Sequence, residues 1–482
     1  MMRQPFKRCW QIVNIPINPV TLSLTMHIHF VGICGTFMAG LARIAHALGH
    51  EVSGSDAAFY PPMSHQLAEM GVTTYHGYDK DIWAAVQPDL VVVGNVCKRG
   101  MPLIESMLMH GLPYTSGAAW LGEQVLKQRH VFALAGTHGK TTTTAMLIHI
   151  LYQQGIAAGY LVGGVMQGFD HSAALGESDY FVIEADEYDT AYFDKRPKFV
   201  HYAPDTLVIG NVEFDHADIY DDLQQIQRQF HYAVRLVPPQ GTVIFGTGDT
   251  VDAVRAKGVW SAQIQVGETV LRQGNQLLHP DGSLLATLPD NLIGEHNYSN
   301  ALHAALAAQS AGVSMTDSMA ALASFKGVKR RLEALACING ITIYDDFAHH
   351  PTAIAMTLAA LKKQAPNKRV ISVFEPRSNT MQMGVHRDSL PAAFVDSDKT
   401  FIYRDASISW DILGGADKAT HPAINSDVWA TAPLIYDNIA QLLADLIDTL
   451  RPDDTVVIMS NGHFFGLHEQ LISTLRDTYD SA

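Results

Sequence analysis

Apolar residues fall along this chain in short unbroken runs, separated by longer stretches in which they recur every three or four positions. The first run, residues 28–33, leads into a glycine turn, a helical stretch at about 37–48 and a second run ending at Asp56, with another at 90–94. A second cycle opens at 131–135 and passes through a glycine loop into a helix over about 140–153, followed by runs at 180–183 and 206–209. A third begins at 341–344 and continues at 370–374, 399–403 and 455–459. Apolar strands alternating with amphipathic helices predict parallel sheets covered by helices. Between residues 238 and 292 the pattern changes to short alternating runs rich in glycine, such as 241–246, which predicts a small β insert ahead of an alanine-rich helix at about 298–310. The chain divides into units of 26–124, 125–328 and 329–482, after an extension of residues 1–25.

Composition narrows the class. Of 482 residues, 47% are hydrophobic and 17% charged, so the chain can bury a core and disorder is excluded as its general state. With 33 Lys and Arg against 48 Asp and Glu the formal charge is −15, which argues against nucleic acid or an anionic membrane as partner. Cys9, Cys34, Cys97 and Cys337 are too scattered for a disulfide framework or a zinc site, in keeping with a reducing cytoplasm. No apolar run reaches the ~18 residues of a membrane span. Arg3, Lys7 and Arg8 invite a signal-peptide reading, but Gln11, Asn14, Pro16, Asn18 and Pro19 interrupt the apolar region, and disorder is the expectation for 1–25.

Chemistry concentrates at the ends of the apolar runs. Gly136-Thr137-His138-Gly139-Lys140-Thr141-Thr142 lies between a strand and a helix. Glycines there let backbone N–H groups curl around phosphates, Lys140 can reach the terminal phosphates and the Thr141 hydroxyl can ligate Mg²⁺. The strict P-loop pattern asks for glycine at position 134, which is Leu134 here. Glu184-Ala-Asp186-Glu187-Tyr188-Asp189 and Asn211-Val-Glu213-Phe-Asp215-His216 follow the next two strands, at the edge where α/β sheets bind ligands. His216 reads as a metal ligand or a phosphate donor. His296, Asn297 and Asn300 open the alanine-rich helix, and the two amides, three apart, suit either a nucleobase edge or helix capping. Lys326, Lys329, Arg330 and Arg331 form a cationic run that is either a solvated face or a phosphate clamp. Asp345, Asp346, His349 and His350 end the first strand of the third unit. In the first unit, Gly32, Gly35 and Thr36 make a turn with Asp56 some twenty residues on, a loosened dinucleotide fingerprint that fits any nucleoside diphosphate. The fold class is thus α/β in three consecutive domains: Rossmann-like, P-loop-type ATPase with a β insert, and Rossmann-like.

In this order the motifs AGTHGKTTTT, EADEYD, NVEFDH, GEHNYSN, GVKRRLE and DDFAHHP resemble the Mur ligase family, from residue 26 to the C-terminus. The family joins amino acids or peptides to a UDP-muramoyl carboxylate. HIHFVGICGT, the stretch EADEYDTAYFDKRPKFVHY and EPRSNTM look like members that add a preformed L-alanyl-γ-D-glutamyl-meso-diaminopimelate tripeptide in cell-wall recycling. Members that add L-alanine are the alternative, and usually have serine where this chain has Tyr188. A non-catalytic UDP-sugar sensor is a reading of another class, disfavoured by the intact set Lys140, Glu184, His216 and Asp346.

The resemblance implies ATP and Mg²⁺ as cofactors and an acyl-phosphate intermediate. Lys140 would hold the terminal phosphates, Thr141 and Glu184 one Mg²⁺, and His216 a second. His296, Asn297 and Asn300 would receive adenine, Asp346 the ribose, and Arg331 with His349 the transferred phosphoryl group. Gly32, Gly35, Thr36 and Asp56 would bind the UDP-sugar, and Arg377, Ser378, Asn379 and Arg404 the peptide, Arg377 as a carboxylate anchor. Residues 224–231 lack the lysine that several members carbamylate, and His463 stands where the family usually has glycine.

Overall fold

The structure, a computed structural model, describes residues 25–412, 429 and 432–479. The expectation of disorder for 1–25 therefore lies, but for residue 25, outside the described residues. Three sheets with helices packed on them follow one another along the chain, as the apolar pattern requires.

The first sheet is parallel, in the order Thr73–His76, Glu51–Asp56, His27–Val31, Leu90–Val93 and Tyr114–Ser116. The chain reverses direction across the sheet between His27–Val31 and Leu90–Val93, and a crevice opens beyond the carboxyl ends of those two strands. The second sheet has seven strands, in the order Ala262–Gln265, Thr242–Phe245, Thr206–Ile209, His130–Ala135, Tyr180–Ala185, Gly159–Leu161 and Ala173–Ala174. Only the last pairing is antiparallel. His130–Ala135 thus lies between the two strands that carry the acidic motifs, and all three loops emerge on one edge.

The expected β insert is smaller than residues 238–292. Thr242–Phe245, with Val243, Ile244 and Phe245 fully buried, pairs in parallel with Thr206–Ile209 as a strand of the main sheet. Only Leu271–Gln273, Gln276–Leu278 and Leu284–Thr287 form a separate antiparallel meander. The flanking Gly241 and Gly246 made this run read as part of the insert, but both are required by close packing: a Cβ at Gly246 would lie 2.0 Å from the Gly210 carbonyl oxygen. The alanine-rich helix begins at Glu295, three residues earlier than expected, and runs to Ala308. Its small residues Ala301, Ala304, Ala305, Ala307 and Ala308 are all buried, which lets it lie close on the helix Lys140–Gln153.

The third sheet runs Glu333–Ile338, Ile341–Asp346, Thr455–Met459, Val370–Phe374, Lys399–Tyr403 and Leu434–Tyr436. Its first strand is antiparallel to the second and was absent from the sequence reading. The two are joined by Asn339-Gly340, both at positive φ, the turn chemistry of a tight hairpin.

The first two units are wedged together at Gly122, in the helix Gly117–Gln124, which faces the turn Lys198–His201. A Cβ there would lie 2.2 Å from the His201 carbonyl oxygen. Gly122→Ala should cost about 1–3 kcal/mol through forced separation of that contact, read as a lower midpoint in denaturant. An unchanged midpoint would show that the contact yields freely.

Candidate active site

The glycine loop works because its backbone is fixed from the neighbouring strand. Asn211 brackets it: its Oδ1 accepts from the His138 N–H at 2.8 Å and its Nδ2 donates to the His138 carbonyl at 2.9 Å. Gly139, at φ 77°, starts the helix, and a Cβ there would meet Asn300 Oδ1 at 2.4 Å. Free N–H groups at the start of a long helix then face the space above the sheet.

Lys140 follows, with its side chain only 11% exposed. Its ammonium lies 2.8 Å from Glu187 Oε2 and 3.8 Å from Asp186 Oδ1. Burial pulls its pKa down, but these two carboxylates overcome that and hold it above the ordinary lysine value. Glu187, nearly fully buried, also faces His216 Nε2 at 3.2 Å. Burial disfavours charge on that imidazole, yet Glu187, Asp215 and Asp186 raise it to about 9. Thr141 Oγ1 donates to Glu184 Oε1 at 3.1 Å, and Glu184 Oε2 accepts from the Gly163 N–H at 2.7 Å.

The third domain closes the site. Arg331 Nη2 donates to Thr141 Oγ1 at 3.0 Å, and the guanidinium lies over the Phe347 ring at 4.5 Å. Asp346 is buried, which lifts its carboxyl to about 6 against the pull of Arg331; it accepts from the Ala348 N–H and the Thr357 hydroxyl. His349 Nδ1 faces the Phe347 carbonyl at 3.0 Å, while its Nε2 is 4.0 Å from Asp215 Oδ2. Burial lowers the pKa of His349, and that of His296 to about 4. Thr352 donates to Glu213 at 2.6 Å and Thr380 to Asp215 at 2.9 Å, tying the two domains beside the site.

One cavity of about 900 Å³ joins these groups. Thr137, His138, Gly139, Lys140, Thr141, Thr142, Glu184, His216, His296, Asn297, Asn300, Arg331, Asp346 and His349 all line it; Gly136, at φ 144°, does not, and sits against the backbone of Gly210 and Asn211. Neither asparagine caps the helix, whose N-cap is Gly294. Asn300 instead accepts from the Thr143 hydroxyl at 3.1 Å and donates to Asn297 Oδ1 at 3.1 Å, while Asn297 Nδ2 donates to the Ile293 carbonyl. These amides therefore brace the loop against the second helix.

A second cavity of about 260 Å³ is lined by Gly32, Gly35, Thr36 and Asp56, with Asn95, Thr190 and Lys198. Asp56 anchors its own turn: it accepts from the N–H groups of Cys34 and Ala57 at 2.8 and 2.7 Å and from the Tyr78 hydroxyl at 3.1 Å. Of the residues expected at the peptide site, none lines either cavity. Ser378 caps the short helix Asn379–Gln382, Asn379 donates to Asp218 at 2.8 Å, and Arg377 and Arg404 are exposed.

Sequence reasoning gave no separate role to Glu187, Asp186, Glu213 or His350. Asp186, Glu187 and His216 form one group whose ligand atoms lie within 4.8 Å of one another, and His138, Glu213 and His350 form another. The first offers hard oxygen donors and a nitrogen, which suits a divalent cation. The density of acids in 184–189 was the available sign; which of them turns inward depends on the sheet.

A nucleotide-sized cavity over a glycine loop, clamped by a third domain, defines a P-loop-type enzyme of three α/β domains. The chain matches the family descriptions "Mur ligase family, catalytic domain" over residues 27–129, "Mur ligase middle domain" over 134–308 and "Mur ligase, glutamate ligase domain" over 330–462. It is 47% identical to the UDP-N-acetylmuramate–L-alanyl-γ-D-glutamyl-meso-2,6-diaminoheptandioate ligase of Escherichia coli, covering 95% of this chain and 100% of that protein. It is 31% identical to the UDP-N-acetylmuramate–L-alanine ligase of Desulforapulum autotrophicum, over 93% and 98%. The crystal structure of a murein peptide ligase from Psychrobacter arcticus superposes with a TM-score of 0.72 at 43% identity, covering 93% of this chain and 98% of that one. The chain belongs to the Mur ligase family.

The His216–Glu187 pair sets a pH dependence for the metal-free protein. His216 holds its proton more tightly folded than unfolded, so the pair stabilises fully below the ordinary imidazole value of about 6.5 and loses that contribution as pH rises through about 9. Denaturant midpoints measured from about pH 6 to 10 should fall over that window, and fall less in His216→Asn. Parallel curves would contradict this pairing.

Proposed function

We infer that this protein is an ATP-dependent ligase that joins L-alanyl-γ-D-glutamyl-meso-diaminopimelate to UDP-N-acetylmuramate, in the recycling of cell-wall peptides. The observation that carries the reading is the adjacency of two differently built cavities: Asp186 lines the large one and Lys198, 2.8 Å from it, lines the small one. A donor nucleotide and a sugar nucleotide bound there would meet at that seam. The tripeptide, rather than L-alanine, is supported by identity of 47% to the tripeptide-adding relative against 31% to the L-alanine-adding one.

The muramoyl carboxylate attacks the γ-phosphorus of ATP, the bond to ADP breaks, and an acyl phosphate forms. The peptide amine then adds to the acyl carbon, loses its proton, and the tetrahedral intermediate expels phosphate. No protein nucleophile is needed; the residues position groups and neutralise charge. Lys140 and the helix N-terminus bind the terminal phosphates, and Arg331 reaches the transferred phosphoryl group from the opposite side. His349 stands beside Arg331 as a neutral donor. His296, Asn297 and Asn300 border the adenine space and Asp346 the ribose. Mg²⁺ held by Thr141 and Glu184, and a second ion at His216 with Glu187 and Asp186, would supply charge neutralisation to the phosphates. Gly32, Gly35 and Thr36 hold the diphosphate of the sugar nucleotide, and Arg377 is the candidate carboxylate anchor for the peptide. The domains 26–124, 125–328 and 329–482 serve UDP-sugar, ATP and peptide in turn. The partners are small molecules, and the site of action is the cytoplasm; no helix among the described residues is long and apolar enough to cross a membrane.

Phosphate release with UDP-N-acetylmuramate and ATP should require the tripeptide; turnover with free L-alanine and none with tripeptide would overturn the assignment. Lys140→Ala should lower kcat by about a hundredfold or more, and full activity in that variant would remove its phosphate role.

A further inference from the structure

Lys198 lies within the stretch EADEYDTAYFDKRPKFVHY but has been given no role there, and it stands at the seam between the two cavities. It opens the turn Lys198–His201, just after the antiparallel pair Asp189–Ala191 and Asp194–Pro197. That hairpin is docked on the first domain. Tyr192 packs with the cluster of Ile82, Trp83, Val93 and Leu103, and the turn is wedged against Gly122. Lys198 is thereby held in a fixed place relative to Gly32, Gly35 and Thr36. Its side chain is 12% exposed, its ammonium lies 2.8 Å from Asp186 Oδ2 and 5.6 Å from the centre of the Tyr188 ring, and it lines the smaller cavity.

Asp186 serves two lysines. Its Oδ2 faces Lys198 and its Oδ1 faces Lys140 at 3.8 Å, so one carboxylate stands between a cation of the smaller cavity and a cation of the larger. Glu187 is directed at Lys140 and His216 rather than at Lys198, so Asp186 is the one carboxylate that Lys198 meets among the described residues. An ammonium has three donors, and Asp186 is the only hydrogen-bond acceptor found for Lys198 among the described residues. A nearly buried cation with donors to spare, at the wall of a cavity, calls for an anion there.

Resting on the ligase reading, we propose that Lys198 binds the lactyl carboxylate of UDP-N-acetylmuramate and holds this nucleophile toward the phosphate site. The diphosphate is served at the other end of the same cavity by the glycine turn and the start of the helix Thr36–Ala47. The carboxylate must be the end that approaches Lys140, because it is the group that takes the phosphoryl. Lys198 is therefore a substrate-binding residue at the reacting end.

Calorimetric titration separates the carboxylate from the rest of the ligand, using UDP-N-acetylmuramate and UDP-N-acetylglucosamine, which lacks the lactyl group. In Lys198→Ala, affinity for the first should fall by about ten- to a hundredfold, with affinity for the second and for ATP unchanged. Lys198→Arg should retain part of the preference, and Lys198→Gln replaces the alanine variant if that one fails to fold. Equal weakening of both sugar nucleotides would place Lys198 on the diphosphate and overturn the proposal. No weakening of either would reduce its contact with Asp186 to a structural ion pair and overturn it as well. Wild-type protein that did not bind UDP-N-acetylmuramate at all would sink the ligase reading itself, and is distinguished from a normal variant by the unmutated control.

Discussion

The ammonium of Lys140 is carried into a site where its side chain is only 11% exposed, and the surrounding structure answers that one constraint. An isolated charge there would shed its proton or destabilise the fold. Glu187 and Asp186 prevent this because the strand Tyr180–Ala185 lies directly beside His130–Ala135 and delivers both acids to the same edge. Glu187 in turn raises His216, and Asp186 holds Lys198. Burial would raise the Asp186 carboxyl; the two lysines instead keep it far below the ordinary range. Strand order, more than any single residue, thus decides the charge state of the site.

Closure of the third domain is the second condition. Arg331 reaches Thr141 across a junction that is also held by Thr352, Thr380 and Asn379 docking on Glu213, Asp215 and Asp218, in the loop that follows the strand Thr206–Ile209. The same loop supplies His216. A motif that reads as one run of acids therefore does two jobs: His216 faces the cavity, Glu213 holds the clamp, and Asp215 does both. The net charge of −15 does not oppose anionic substrates at this range, since helix N-termini, Lys140, Lys198 and Arg331 act within a few ångströms.

Much of this was legible in the chain. The helix Lys140–Gln153 and the strands Thr206–Ile209, Val370–Phe374, Lys399–Tyr403 and Thr455–Met459 occur at the bounds the apolar runs indicate, because strands covered on both faces read as unbroken hydrophobic segments. Glu333–Ile338 was missed for the opposite reason. It is a half-exposed edge strand of mixed residues beside a cationic run, and only Asn339-Gly340 marked its turn. Thr242–Phe245 was misplaced because its glycines signal close packing and turns alike. Of the residues lining the larger cavity, motif positions pointed to Lys140, Thr141, Glu184 and His216. Lys198 and Glu187 escaped, since their importance lies in partners 12 and 47 positions away, respectively. Asn300, read for its amide chemistry, also packs against Gly139 and accepts from Thr143, contacts that only the fold brings together.

The central claim is that the two cavities meet so that the sugar-nucleotide carboxylate takes the γ-phosphoryl group of ATP. Oxygen transfer tests this most directly. With UDP-N-acetylmuramate carrying ¹⁸O in its lactyl carboxylate, complete turnover with ATP and tripeptide should place one carboxylate oxygen in the released inorganic phosphate, with ADP as the nucleotide product. Phosphate free of the label, or AMP in place of ADP, would contradict the account.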